Sequence, residues 1–427
     1  MMGILTALAP AHRQGTAFGI TSVCSAHPVV LRAAIRRAAL HHTPVLIEAT
    51  CNQVNHTGGY TGLDPAAFAA LAQRIAAQEA LPDGLLALGG DHLGPNPWRH
   101  LPADAAMMQA RAMIRAYAAA GFAKLHLDAS MGCAGEGEAL DDTVTATRAA
   151  SLAAVAEEAA LAAGHPPPVY IIGTEVPPPG GADHVLSQVP PTSPAAARLT
   201  LAVHREIFAK AGLAAAFARV IGLVVQPGVE FGNANVIGYD PAQAQSLAAV
   251  LGDTPFVFEA HSTDYQSADA LRSLVTDGFC ILKVGPELTF ALREALYGLD
   301  LIASDMIPAY GQRPLKTAME ALMIAHPADW QRHYPGTAHA QAVLRHYSYS
   351  DRIRYYWNRL EAVEAVAHLM QTLKGQTLPV TLLRQHLPAL TRFADAPLDP
   401  EAVLIAAVDA VLNTYHLACH PSQPPTN

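Results

Sequence analysis

Apolar residues along the chain gather into eight short, nearly unbroken runs, each followed by a longer stretch in which they recur every third or fourth position. The runs are FGITSV (18–23), PVLIEAT (44–50), LLALGGD (85–91), KLHLDAS (124–130), VYIIGTE (169–175), RVIGLVVQ (219–226), PFVFEAH (255–261) and CILKVG (280–285). Continuous apolarity over so few residues marks strands covered on both faces. The helical spacing in HPVVLRAAIRRAALHH, DPAAFAALAQRIAAQEA and QAQSLAAVLG marks the elements that cover them. Strands alternating with helices imply parallel βα units. Eight such units within residues 1–300 predict an α/β fold, a TIM (β/α)8 barrel. A doubly wound sheet would carry a glycine-rich GxGxxG turn after an early strand, and there is none. Past residue 300 the period changes to helical throughout, so residues 301–420 are expected to form a C-terminal helical extension and PSQPPTN (421–427) a flexible tail.

The exits of these strands carry the chemistry. Reading their C-terminal ends gives Ser25 and His27, Glu48, Asp91-His92, Asp128, Glu175, Gln226, Glu259 and His261, and Lys283. Helix capping accounts for an Asp or a Ser in a βα loop. It accounts poorly for His92, His261 and Glu175. In a TIM barrel all eight exits face one mouth, where active sites are built. His92 and His261, on strands three and seven, together with Glu175 or Asp128, can hold a divalent ion that leaves positions open for substrate. Asp91, next to His92 but pointing elsewhere on an alternating strand, is the expected base. His27, His56 and His126 read as core histidines bonded to backbone. The long irregular stretch EVPPPGGADHVLSQVPPTSP (175–194) starts at the rim and is expected to wall the site.

Composition narrows the class of partner. Charged residues make up 15% of the 427, and the formal net charge is −9 with no basic run, which argues against nucleic acid. No uninterrupted apolar run reaches bilayer length and no secretory leader is evident, so neither a membrane nor export is expected and a cytoplasmic location is. The five cysteines are scattered and form no CxxC; Cys24, Cys51 and Cys280 read as reduced core residues.

Longer motifs add a resemblance. SVCSAHPVVL, TPVLIEATCNQVNHTGGYTG, LGGDHLGPNPW, KLHLDASM, IGTEVPPPGG, VVQPGVEF, FEAHSTDYQ, LKVGPELTFALREAL and YSYSDRIRYYW resemble the family of the accessory (Z-type) subunit of tagatose-bisphosphate aldolase, over residues 3–420. That family is similar to the metal-dependent class II aldolases. The resemblance implies Asp91 as base, His92 and His261 as metal ligands, and a strand-two loop that places Gln53 against substrate. It also implies a departure. Where class II aldolases take a third histidine from strand six, this chain has Gln226, a weaker and harder ligand. The resemblance therefore implies magnesium, manganese or weakly held zinc, or no ion, and argues against full bisphosphate aldolase activity.

Some members of the family resemble enzymes that interconvert tagatose 6-phosphate and fructose 6-phosphate by epimerisation at carbon 4. A retro-aldol route needs proton carriers on both faces of the substrate, for which Asp91, Asp128, Glu48 and Glu175 are the candidates. The alternatives are a non-catalytic accessory subunit that stabilises a class II aldolase catalytic chain, and a sugar-phosphate kinase. The kinase reading has neither a GxxxxGK[ST] loop nor the protein-kinase motifs behind it. A phosphorylated ketohexose is the expected substrate and a homo-oligomer the expected assembly. Ser25, Ser262, Thr263, Lys283 and the amide of Gly285 lie where barrels bind substrate and phosphate. Arg352 and Arg354 in YSYSDRIRYYW offer guanidinium groups to the same end.

Overall fold

The computed structural model describes residues 2–174, 188–252 and 254–420. Its barrel strands are β1 (Ile20–Cys24), β2 (Val45–Thr50), β3 (Leu86–Leu93), β4 (Lys124–Leu127), β5 (Val169–Ile172) and β6 (Val220–Val225). A two-residue antiparallel hairpin then intervenes, β7 (Glu230–Phe231) and β8 (Val236–Ile237), before the last two barrel strands, β9 (Val257–Ala260) and β10 (Ile281–Val284). All eight barrel strands run parallel and close in the order β1-β10-β9-β6-β5-β4-β3-β2. Each of the eight apolar runs coincides with one of them, β1 and β3 extending one and two residues beyond theirs. The hairpin has no counterpart in the sequence reading, because two residues per strand are too few to show a period.

The alternation of side chains along a strand sorts the barrel interior into layers. At the bottom, Ile20, Leu46, Ala87, Val169, Val257 and Ile281 form one apolar cluster. It is plugged from below by Leu5 and Leu8 of the N-terminal helix Met2–Arg13. Two residues further along, β5 keeps the apolar Ile171, but the other strands change character, to Ser22, Glu48, Gly89, Glu259 and Lys283, joined by Lys124. Two residues further still come Cys24, Thr50, Asp91, His126 and His261. The barrel is thus dry below, charged in the middle and chemically equipped at the top.

Residue 300 falls within the helix Pro286–Met306, which runs on without a break, with Asp300 buried. The last helix, Pro400–Cys419, packs against helices Pro28–His41, Ala268–Thr276 and Pro286–Met306. Its final carbonyl, Cys419 O, accepts from Gly19 N at 3.0 Å at the entry to β1. Among the described residues it is the one helix long and apolar enough to cross a bilayer, and here just over half of that stretch is buried against the barrel. Higher on the same helix, the Tyr415 hydroxyl donates to Thr263 O at 2.6 Å, bracing the loop that follows β9.

Candidate active site

The charged middle layer is the floor of the site. Lys124 Nζ lies 2.5 Å from Glu48 Oε1 and 2.7 Å from Glu259 Oε2, and all three side chains are completely buried. Lys283 Nζ lies 2.6 Å from Glu48 Oε2, 2.8 Å from Asp91 Oδ1 and 3.6 Å from Glu259 Oε1. Burial alone would neutralise both lysines; the surrounding carboxylates outweigh it and hold both firmly protonated. Gly89 makes room for this layer, since a Cβ there would stand 2.7 Å from Glu48 Cγ.

The top layer carries three imidazoles. The rings of His92, His126 and His261 lie 4.8 to 5.2 Å from one another, centre to centre. Asp128 Oδ2 holds His92 Nδ1 at 2.9 Å, and the other carboxylate oxygen, Oδ1, accepts from the Ser130 hydroxyl at 2.8 Å. That carboxylate–imidazole pair orients the ring and leaves Nε2, 3.8 Å from Asp91 Oδ2, facing the others. Burial lowers the His92 pKa, but Asp91 and Asp128 outweigh it and the net shift is upward. For His261 burial wins, and its pKa falls to about 3, so this imidazole is neutral, with Nε2 3.0 Å from Glu259 Oε1. His126 Nδ1 meets Asp91 Oδ1 at 3.0 Å, while its Nε2 is buried with no hydrogen-bond partner. Ligand atoms of Asp91, His126, Glu259 and His261 all lie within 4.8 Å of one another.

His126 is buried and bonded to backbone, its Nδ1 accepting from His92 N at 3.2 Å, as the sequence suggests, but it faces the site and not the barrel packing. It stands at i+2 from Lys124 and shares its inward face. Asp91 does not point away from His92. The pairing of β3 with β4 shifts register between Gly90 and Leu93, and His92 has a left-handed backbone (φ 48°). This bulge breaks the strand's alternation, and both side chains reach the mouth. The same device recurs after β9, where Ser262 (φ 53°) follows His261 and both line the mouth. Gly94 completes the first of these turns, because a Cβ there would lie 1.5 Å from Asp128 O.

The remaining candidates divide. Gln53 lines the mouth, braced by a bond from its amide to Cys24 O at 3.2 Å, as do Ser262, Lys283 and Arg354. Glu48 and Asp128 lie beneath it, committed to the lysines and to His92. Gln226 does not join the imidazoles: its Oε1 accepts from the amides of Gly228 and Val229 at 2.8 and 2.9 Å, shaping its own turn. The third imidazole comes instead from β4. Gly285 lines the mouth, but its amide donates to Asp264 Oδ1 at 3.0 Å and so is not open to a phosphate. Thr263 is fully buried, its hydroxyl bonded to Lys283 O at 2.6 Å. The Ser25 hydroxyl accepts from His27 N at 3.3 Å and borders a neighbouring cavity instead. Arg352 turns into the extension, where it donates to Asp329 O at 2.9 Å. Glu175 and most of the 175–194 stretch lie outside the described residues.

Sequence reasoning missed Asp264, Asn52, Tyr60, Phe231 and Tyr355, which also line the mouth. Two of the lining residues, Arg354 and Tyr355, come from the C-terminal extension, so the site is not confined to residues 1–300. Asp264 matters most. Burial raises its pKa to about 6, and it caps the start of helix Pro286–Met306 by accepting from Gly285 N and Glu287 N. Glu287 beside it rises to about 8, through burial first and Asp264 second, and Glu230 rises to about 7 through burial.

These three carboxyls set a pH dependence of stability. A carboxyl whose pKa is raised by folding stabilises the native state at low pH, and that contribution is lost as pH climbs through the folded value. Their share of stability is expected to fall between about pH 4, where the unfolded carboxyls ionise, and about pH 8. Asp91, Asp128 and Glu259 act in the opposite sense: their pKa values lie below the ordinary range despite burial, because of His92 and the lysines. Their contribution is lost only on acidification below that range. Urea melts across this window should show a flatter slope for Glu287→Gln than for the parent protein. Parallel slopes would show that Glu287 titrates normally.

Comparison with known proteins places the chain. The model of the family described as D-tagatose-1,6-bisphosphate aldolase subunit GatZ/KbaZ-like matches residues 5–420. A D-tagatose 6-phosphate 4-epimerase from Agrobacterium fabrum is 64% identical over 419 residues, covering 98% of this chain and 99% of the relative. A crystal structure described as a probable tagatose 6 phosphate kinase from Sinorhizobium meliloti superposes with a TM-score of 0.85 at 56% identity, over 94% of this chain and 100% of that one. A glycerol-bound fructuronate-tagaturonate epimerase from Cohnella laeviribosi shares the fold at a TM-score of 0.50 and 13% identity, over 93% and 81% of the two chains.

Proposed function

Since the chain belongs to the D-tagatose-1,6-bisphosphate aldolase subunit GatZ/KbaZ-like family, we propose that it is a sugar-phosphate epimerase interconverting D-tagatose 6-phosphate and D-fructose 6-phosphate at carbon 4. The observation that carries this reading is the intact constellation of Asp91, His92, His126 and His261 above a charge-paired floor, in a chain 64% identical to a relative of that activity. A barrel kept only as a structural subunit has no need of a buried imidazole nitrogen without a partner. A kinase needs a phosphate-cradling loop, and the amide of Gly285 is already committed to Asp264.

The donor set suits a divalent ion. His261 is neutral, His126 Nε2 is unpaired, Glu259 is anionic, and His92 is oriented by Asp128 in the manner of a metal ligand. These four are the residues we assign to hold it, with His126 in the place the resemblance gave to the residue at 226. Manganese, magnesium and zinc are the ions to test. A bound ion would polarise the ketone and adjoining hydroxyl as a Lewis acid.

The chain's own residues handle the protons. Asp91, ionised and lining the mouth, accepts the proton of the carbon-4 hydroxyl. The bond between carbons 3 and 4 then breaks, giving a three-carbon enediolate and glyceraldehyde 3-phosphate. Lys283, a fixed ammonium in the floor of the mouth, faces the enediolate's charge. After the aldehyde turns over and carbon–carbon bonding is restored, the new alkoxide points the other way. Asp264, whose pKa of about 6 allows it to give and take protons near neutrality, serves that face. Arg354 holds the phosphate from the extension.

The direct test is to incubate the protein with fructose 6-phosphate and follow tagatose 6-phosphate by NMR. Chelation should abolish turnover, and one of the three metals should restore it. Deuterium at carbon 4 should be retained, because that carbon–hydrogen bond is never broken; washout into water would exclude the retro-aldol route. Inactivity under all conditions, with stimulation of an added class II aldolase chain, would establish the accessory role instead. For Arg354→Ala, removing a charged hydrogen-bonding partner of about 1.5–3 kcal/mol predicts a KM increase of roughly 10- to 100-fold with kcat less affected. An unchanged KM would move phosphate recognition elsewhere on the rim.

A further inference from the structure

Beside the mouth, and separated from it by Tyr60 and Arg354, which border both, lies a second cavity of about 660 Å³. This is a volume typical of small-molecule sites. It sits between the barrel and the extension, and its walls are mostly apolar: Leu63, Leu71, Leu292, Leu296 and Val366. None of these residues contributes to the chemistry above.

Among the polar groups on its walls, the Ser25, Thr61 and Thr289 hydroxyls are bonded within the protein, and Arg354 is the one charged side chain. Trp357, a lining residue only 6% exposed, has a buried indole N–H with no hydrogen-bond partner. His27, also on the wall, accepts Val29 N–H on Nδ1 at 3.3 Å, and burial lowers its pKa to about 4. Its ring is therefore neutral with the proton on Nε2, a second donor. Arg354, whose guanidinium already donates to Ser350 O, Asp351 O and the Tyr355 hydroxyl, adds a positive charge. A buried donor left without an acceptor is costly, and an apolar cavity whose wall carries one cationic side chain and one orphaned donor is matched by a ligand with an anionic, accepting head.

We propose that this cavity is a binding site for an amphipathic carboxylate, with its hydrocarbon body against the leucines and its anionic head toward His27, Trp357 and Arg354. Trp357 carries the orphaned donor and is the centre of the test. Octanoate and octylammonium share a tail and differ in whether the head accepts or only donates.

The three tryptophan indole N–H resonances of the 15N-labelled protein can be followed by NMR, with Trp357→Phe identifying the one of interest. Octanoate should shift the Trp357 resonance saturably, and should bind at least about tenfold more tightly than octylammonium, the value of one charged hydrogen bond. Val366→Phe, which fills the cavity, should abolish the shift. Equal binding of the two probes, or an undisturbed Trp357 resonance up to the solubility limit of octanoate, would overturn the proposal. Both probes act on the unmodified protein, so that comparison decides the matter even if the filled variant does not fold.

Discussion

Asp91→Asn is expected to lower kcat for epimerisation by about 10²–10⁴-fold, the usual value of a positioned general base, while leaving substrate binding nearly intact. The amide keeps the size of the carboxylate and can still meet His126, 3.0 Å away. What it loses is the ability to take the hydroxyl proton. The choice of Asp91 rests on position and not on basicity, since Lys283 and His92 hold it well below the ordinary carboxylate range. A strongly stabilised anion is a weak base, but one that is always deprotonated and always in place. Removing its charge also leaves Lys283 with one carboxylate fewer, so the variant should melt earlier. Rate must therefore be compared at a temperature where both proteins are folded. A variant turning over at near-parental rate would transfer the role to Asp264.

Lys124→Met is expected to cost about 3–5 kcal/mol of unfolding free energy, the range for breaking one side of a buried ion pair. Methionine matches the lysine's length and apolar stem, so packing changes little. The charge balance changes greatly: Glu48 and Glu259 keep only Lys283, and Glu259 Oε2 faces an apolar methyl group. Urea denaturation measures the loss. The double variant Lys124→Met with Glu259→Gln should recover part of it, since it removes the stranded anion. A loss below about 1 kcal/mol in the single variant would mean that the floor carboxylates take up a proton instead.

The fold was legible because a barrel strand covered on both faces leaves an unbroken apolar run, and all eight runs are there. Asp91-His92 and His261 were legible because polar pairs at strand exits have no role in packing. His126 and Lys124 were harder. They sit inside apolar runs, where a polar residue is easily taken for core. A signal was nonetheless present. Lys124 and His126 are two apart in KLHLD, as are Glu259 and His261 in FEAH, so each pair shares one face of its strand. A lysine inside such a run requires a buried anion, and that requirement points to the glutamates. Gln226, Gly285 and Thr263 were read as free side chains and amides because the backbone bonds that occupy them depend on loop geometry. No pattern in the chain reveals that geometry.

The charged floor also bears on the seam of the barrel. β10 closes onto β1, and β1 in turn pairs with β2. Glu48 on β2 reaches past β1 to Lys283 on β10, 235 residues away along the chain. The join between the beginning and the end of the chain is thus riveted from inside by an ion pair that spans three strands. Parting β1 from β10 would strand an ammonium and a carboxylate against hydrocarbon, in addition to breaking the backbone ladder. The place where a closed sheet made from one chain would most easily come undone is, in this barrel, the place fastened twice.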